Sequence, residues 1–206
     1  MSPKVSKEHL EQRRAKIVEA ATQVFIEHGY ERTTMKHVMD AADVSRGGLY
    51  QYFSNKEDLF EAILADRLLI DVAKTDQLLK EKVESYWDLL LSRIFGESKE
   101  PSDHMDPLAA SNLEFFITGR NDQRRRNYAQ ERYSFALKLY ANIIEAGQQS
   151  GEFSNKQSGE MIARSIITFI DGLALDHAIL PKEDVKLKEQ SSLLIEYLRL
   201  ALEVKN

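Results

Sequence analysis

The sequence predicts an all-α protein of about nine helices, with a three-helix head over residues 1–54 and a larger helical body over 55–206. Three observations carry that prediction. Apolar residues recur at i, i+3, i+4 and i+7 through most of the chain, the spacing of a helix with one buried face. Short runs of Gly, Pro, Ser and charged residues separate the segments that carry this pattern. No strand pattern persuades: Ile166–Ile170 is rich in β-branched residues, yet its apolar pattern continues helically to Leu175.

The elements follow in order. Residues 1–9 are polar and expected to be loose. From about Leu10 the chain reads as a helix, with Ile17, Ala20, Ala21, Val24, Phe25 and His28 on one face and Gly29 as its stop. Thr34 caps a short helix to about Ala41, which buries Val38, Met39 and Ala42. Ala42-Asp43-Val44 is a turn, and Ser45 caps a second short helix ending near Tyr52. Asn55 caps the next helix, with Glu57 and Asp58 favourable in its first turn. Leu59, Phe60, Ile63, Leu64 and Leu68 form its inward face to about Leu79, a length of roughly 35 Å at 1.5 Å per residue, enough to couple two domains. Further helices are expected at about 82–95, 107–118, 123–147, 157–179 and 188–204, with Pro181 closing the fourth of these.

Composition excludes several classes. Apolar content of 43% and charged content of 30% over 206 residues suit a soluble globular chain with a sizeable core. No apolar leader and no run of about 18 apolar residues occurs, so neither a signal peptide nor a membrane span is expected. The chain has no cysteine, which removes disulfides, thiolate metal sites and cysteine catalysis and suits a reducing, cytoplasmic setting. Net charge is −5, but residues 1–56 hold nine Lys/Arg against seven Asp/Glu, while the remainder holds nineteen against twenty-six. His9, His28 and His37 also lie in the first part. A locally basic head on an acidic body is compatible with DNA binding, because affinity depends on charge near the phosphates.

The segment Thr34–Lys56 has the pattern of a helix-turn-helix, whose second helix enters the major groove. Gly47 and Gly48 inside a helix each cost about 1 kcal/mol relative to Ala, and close approach of another molecule is a reason to accept that. Tyr50 and Tyr52 cannot both face the core formed by Leu49 and Phe53, so at least one hydroxyl is expected to point outward toward a phosphate. Lys56 stands where a helix dipole disfavours a cation, a penalty that a bound phosphate reverses. Thr34 offers a hydroxyl and an N-terminal amide at the start of the other helix.

The run Val44-Ser45-Arg46-Gly47-Gly48-Leu49-Tyr50-Gln51-Tyr52-Phe53-Ser54-Asn55-Lys56-Glu57-Asp58-Leu59 resembles the signature of the TetR family of transcriptional regulators. Upstream, Ala21, Phe25, Gly29-Tyr30 and Thr33-Thr34 resemble the family's first helix and its exit, and Asp171-Gly172-Leu173 is similar to a feature of its eighth helix. The resemblance implies phosphate contacts from Thr34, Tyr50, Tyr52 and Lys56, and contacts in the major groove from Arg46, Gly47 and Gln51, with Ser45 and Gly48 in the same DNA-facing set. Lys36 on the preceding helix is a further contact. Arg46 to guanine is the expected direct readout, with the remaining specificity taken from DNA shape. Asp43 replaces the family's common turn glycine, and Asp tolerates left-handed geometry better than most residues. Tyr52 replaces a frequent histidine.

For the body, the resemblance implies a pocket for an unknown small-molecule effector whose occupancy repositions two heads. Trp87, Phe115, Phe116, Tyr140 and Phe169 are candidate lining residues, with Asn112, His104 and Asp171 as candidate polar contacts. Aromatics at helical spacing are more often core. The last two helices are expected to pair in a homodimer through Ile166, Ile170, Leu173, Leu194, Tyr197 and Leu198, an isologous four-helix interface; burial within one protomer is the alternative. Arg124-Arg125-Arg126 reads as the solvated start of a helix. No Glu-x-x-His or His-x-x-x-His pair occurs, and no phosphate-binding or nucleophile loop, so neither a metal, a cofactor nor an enzyme is expected. The reading is a repressor released from a double-stranded, near-palindromic operator by its ligand. The alternatives are an activator, a regulator answering a protein, or a helical ligand-binding protein that binds no DNA.

Overall fold

The computed structural model describes residues 7–81 and 83–204. Among these residues there are ten helical segments and no strand, so the expected all-α class holds. The expected loose start lies outside the described residues up to residue 6, as does Lys82 at the start of the fifth expected helix. Residues 7–9 are helical, in the first turn of α1 (Lys7–Arg32).

The chain divides into two compact units. One runs to Arg67 and includes Pro107–Arg120; the other comprises Leu68–Asp106 and the residues from Asn121 onward. This division differs from the expected boundary at 54/55. The cause is the helix after the Pro-rich loop, α6 (Ala109–Thr118), which packs on α1 within the first unit.

The first unit is built on an aromatic core. Phe25 and Tyr30 of α1, Phe60 of α4 (Lys56–Lys80) and Phe115 of α6 meet in stacked, tilted and edge-on pairs with ring centroids 4.6 to 5.9 Å apart. Such pairs add to the area they bury. Gly29 breaks α1 at φ 76° and ψ 168°, a region open essentially only to glycine. The break is held by polar groups. Thr33 Oγ1 donates to the Gly29 carbonyl at 2.7 Å, and Glu31 N donates to Glu114 Oε2 of α6 at 3.0 Å. Ser111 Oγ, also on α6, donates to the Phe25 carbonyl at 2.6 Å. Between these elements sit the short α2 (Met35–Ala42) and α3 (Arg46–Tyr50). Val38, Ala42 and Leu49 are buried, whereas Met39 is only half-buried. His28, expected on the inward face of α1, is exposed and stacks on His37 at 5.0 Å.

The second unit has one main hydrophobic core, shared by α5 (Tyr86–Phe95), α7 (Gln123–Ser150), α8 (Gly159–Ile179) and α10 (Leu187–Leu202). The N-terminus of α5 is capped by Glu152, which accepts from Ser85 Oγ, Tyr86 N and Trp87 N. Pro181 ends α8 as expected, but one further turn follows, α9 (Lys182–Val185), which buries Val185. Asp122 Oδ1 accepts from Arg125 N, so the arginine run opens α7 behind an acidic cap.

The expected dimer face requires correction. Ile166, Leu194 and Leu198 are buried in the protomer's own main core, and Leu173 is buried in a second cluster with Val185 and Leu187. Ile170 is half-buried against the main core, and Tyr197 alone of the six is exposed. Both helices carry apolar residues on two faces. The outward stripes are Met161, Leu175 and Ile179 on α8 and Leu193, Tyr197 and Leu200 on α10. Among the described residues, no helix is long and apolar enough to cross a membrane.

Candidate nucleic-acid interface

The helix-turn-helix assembles by local capping. Thr34 is the N-cap of α2, its Oγ1 accepting from His37 N at 3.3 Å. Ser45 does the same for α3, accepting from Gly48 N at 3.2 Å. Such caps satisfy amides that the helix itself leaves orphaned. Asp43 ends α2 in the left-handed region at φ 53° and ψ 53°, so the turn forms without the glycine. The chain then enters α4 through Asn55, whose Oδ1 accepts from Asp58 N at 2.7 Å.

Leu49 and Phe53 anchor this unit in the core, which leaves the opposite face of α3 to solvent. Arg46, Gly47, Tyr50 and Gln51 are exposed there, as are Thr34 and Lys36 on the α2 side and Ser45 in the turn. The Arg46 guanidinium lies 5.5 Å from the centroid of the Tyr50 ring, so the two side chains form one outward group. Tyr50 is 41% exposed. A Cβ built on Gly47 would meet nothing within 4 Å, so no group among the described residues explains that glycine.

Three of the expected residues are placed otherwise. Tyr52 is half-buried, and its hydroxyl is buried without a hydrogen-bond partner among the described residues; it does not point to a phosphate. Of the two tyrosines, Tyr50 is the outward one. Gly48 is half-buried, and a Cβ there would stand 3.0 Å from Arg13 Nη2. The close approach at Gly48 is therefore made by a side chain of the same protein.

Lys56 is the third. Its ammonium donates to the carbonyls of Tyr30 at 2.8 Å and Glu31 at 3.2 Å, and lies 4.3 Å from the centroid of the Tyr30 ring. A cation at the start of α4 is thus held by the carbonyls at the end of α1, where the dipole favours it. The first turn of α4 also carries Glu57 and Asp58, which answer its N-terminal amides.

Arg13 was missed from the sequence. It is exposed on α1 and lies against Gly48, beside α3. Its neighbour Arg14 turns the other way, pairing with Asp66 at 2.9 Å and stacking 5.7 Å from the Phe53 ring centroid. Two adjacent arginines in a helix carry no signal of which one faces inward; the missing Cβ at Gly48 was the available clue.

The expected ligand residues are divided between the two units. Phe115, Phe116 and Asn112 belong to the first unit, where Phe115 is part of the aromatic core. Trp87, Tyr140 and Phe169 pack in or against the core of the second, and Asp171 is exposed on α8. His104 is exposed in the loop before α6. A cavity of about 390 Å³ lies along α7, lined by Asn127, Gln130, Glu131, Ser134, Phe135 and Lys138, and none of the expected residues lines it.

Comparison with known proteins agrees with this geometry. A family model described as "Bacterial regulatory proteins, tetR family" matches residues 17–63, and one described as "Tetracyclin repressor-like, C-terminal domain" matches residues 93–188. The HTH-type transcriptional regulator YfiR of Bacillus subtilis is 35% identical over 173 residues, covering 84% of this chain and 83% of that protein. In structure the chain is similar to a TetR transcription regulator from Haloarcula marismortui, with a TM-score of 0.74, 20% identity and coverage of 93% and 99% of the two chains. It is also similar to FadR from Bacillus subtilis in complex with stearoyl-CoA, with a TM-score of 0.64, 21% identity and coverage of 89% and 96%.

Proposed function

The chain belongs to the TetR family of helix-turn-helix transcriptional regulators, and on that premise we propose that it is a homodimeric repressor released from its operator by a small molecule. The observation that carries the DNA-binding surface is the outer face of α3. Arg46, Tyr50 and Gln51 point to solvent around Gly47, where a Cβ would meet nothing within 4 Å among the described residues. In this reading Arg46 reads a guanine edge, Tyr50 and Thr34 anchor phosphates, and Lys36, Ser45 and Gln51 complete the contact. Arg13 joins them beside Gly48. Residues 1–54 are the DNA-binding domain, and 55–206 bind the effector and dimerise.

The outward stripes of α8 and α10 supply the self-complementary surface of the dimer. Two heads then read successive major grooves about 34 Å apart. Binding of a small molecule by a protein of this fold is supported by the stearoyl-CoA complex of FadR. A ligand releases DNA only to the extent that it binds the DNA-free state more tightly.

A gel shift of the ligand-free protein against its own upstream region, at low salt, tests the DNA-binding surface. Binding is expected. Arg46→Ala should cost about 1–3 kcal/mol at one base pair and relax preference there. Tyr50→Phe should weaken binding evenly across sequences. Failure to bind any fragment at low salt would end this reading.

A further inference from the structure

Arg46 and Tyr50 stand at i and i+4 on α3, so they share one face of the helix. A helical side chain leans over the turn that precedes it, which brings the Tyr50 ring back toward Arg46. The Arg46 guanidinium lies over that ring with its Cζ 5.5 Å from the centroid, within reach of a cation–π contact. Among the described residues no hydrogen bond or ion pair holds the guanidinium, so the ring is what fixes its place. The sequence between them leaves no other support. Gly47 and Gly48 offer no side chain, and Leu49 is buried in the core.

Direction matters to this side chain as much as charge. A guanidinium recognises a guanine edge through two donors in a fixed fork, so it must arrive in one orientation. An unrestrained arginine has several rotatable bonds, and ordering them on binding costs affinity. A guanidinium free to swing also meets phosphates as readily as bases, and a phosphate contact carries no sequence information. Tyr50 therefore has two separable parts. Its hydroxyl is a donor suited to a phosphate, and its ring touches the side chain suited to a base.

We propose that the Tyr50 ring is the positioning group for Arg46, holding the guanidinium where it reads a guanine, so that base preference depends on the ring and general affinity on the hydroxyl. This rests on the reading of α3 as the DNA-facing helix with Arg46 at a base edge, and adds to it a residue that determines specificity through another. A ring that merely spaced the hydroxyl from the backbone would leave base preference untouched.

Competition binding of the full-length protein tests this, at one low salt concentration, on a bound duplex from its own upstream region and on duplexes that carry each other base pair at each position of the site. The position at issue is the one whose preference Arg46→Ala flattens. The readout is the affinity ratio there between guanine and the next-best base. Tyr50→Phe should weaken every duplex and leave that ratio unchanged. Tyr50→Leu should lower the ratio by about two- to fivefold, the range of an exposed cation–π contact. Tyr50→Trp, which keeps a ring face, should hold the ratio. The proposal is overturned if Tyr50→Leu keeps the ratio, or if Tyr50→Phe lowers it as far as Tyr50→Leu does, since the hydroxyl would then govern preference. Should Tyr50→Leu not fold, Tyr50→Met takes its place with the same expectation. If DNA is bound but no position responds to Arg46→Ala, the base-reading role of Arg46 fails and the proposal with it. If no fragment is bound at all, the DNA-binding reading itself fails. A position that Arg46→Ala flattens and the ring does not affect sinks the proposal alone.

Discussion

The two units treat their interior polar groups differently. In the first, side chains are committed to backbone. Ser111 holds the Phe25 carbonyl, Thr33 the Gly29 carbonyl, Glu114 the Glu31 amide and Lys56 the carbonyls of Tyr30 and Glu31. These bonds fix the exit of α1, from which the helix-turn-helix follows. In the second unit, Arg93 and Asp71 stand 3.7 Å apart and the Tyr140 hydroxyl donates to the Arg93 carbonyl at 3.4 Å. A surface that must match a duplex gains from a fixed scaffold, because misplaced donors lose their contacts. Under the proposed function, a body that answers a ligand gains from polar groups that the fold holds less tightly. The distinction is one of place and not of composition, since Glu152 caps α5 with three well-formed bonds in that same second unit.

The largest test of this contrast is a pair of alanine substitutions. Gly29 sits at φ 76° and ψ 168°, and a Cβ there would stand 2.9 Å from both carboxylate oxygens of Glu114. Gly151, at φ 82° and ψ 5° in the body, would meet nothing within 4 Å. Gly29→Ala should cost about 4 kcal/mol, adding backbone strain to the loss of a charge-assisted bond. Gly151→Ala should cost about 1 kcal/mol, the strain of a left-handed residue alone. Urea unfolding of the two variants compares them directly. Equal losses would mean that the Glu114 clamp contributes nothing.

The body has its own signature in pH, of about 3 kcal/mol. The Tyr140 hydroxyl is pushed from 10.0 to about 12 by burial first and by Asp71 second. Below pH 10 the residue is neutral in both states and the full stability is present. Between pH 10 and about 12 the unfolded chain ionises while the folded one does not, so stability falls across that window. Tyr140→Phe should remove this part of the alkaline loss. An unchanged profile would show that Tyr140 is solvated, contrary to its buried position.

How far the sequence disclosed this architecture depended on whether the signal was local. The caps Thr34, Ser45 and Asn55 and the left-handed Asp43 were legible, because each acts on backbone within about one turn. The core positions Leu49 and Phe53 were legible for the same reason. The association of α6 with α1 was not, since Glu114 meets Glu31 across 83 residues with no periodicity to announce it. On α8 and α10 the failure had another cause. Each helix carries two apolar faces, and period alone cannot say which is turned inward. The sequence reading chose Ile166, Leu194 and Leu198, which are core, and left the outward Met161, Ile179 and Leu200 unassigned. Arg93 gave no signal at all: one arginine in an amphipathic helix reads as surface, and only the structure shows its side chain at 15% exposure beside Asp71.

Lys56 gives the smallest effect and the sharpest division between scaffold and DNA surface. Its place at the start of α4 suggested a phosphate partner from sequence, yet its ammonium already meets two carbonyls and the Tyr30 ring. If it belongs to the scaffold, Lys56→Ala should lower the unfolding free energy by about 1–2 kcal/mol and leave the slope of log K against log salt unchanged. If it also neutralises a phosphate, that slope should fall by about 0.9 per contact, or about 1.8 for a dimer. The expected outcome is the first. Arg13, exposed beside Gly48, is the residue whose change to Ala should lower the slope without lowering stability. Measuring both slopes on one operator separates the cation that builds the corner from the cation that faces the duplex. A reversed pattern would move Lys56 to the DNA surface and leave the end of α1 to its neutral hydrogen bonds.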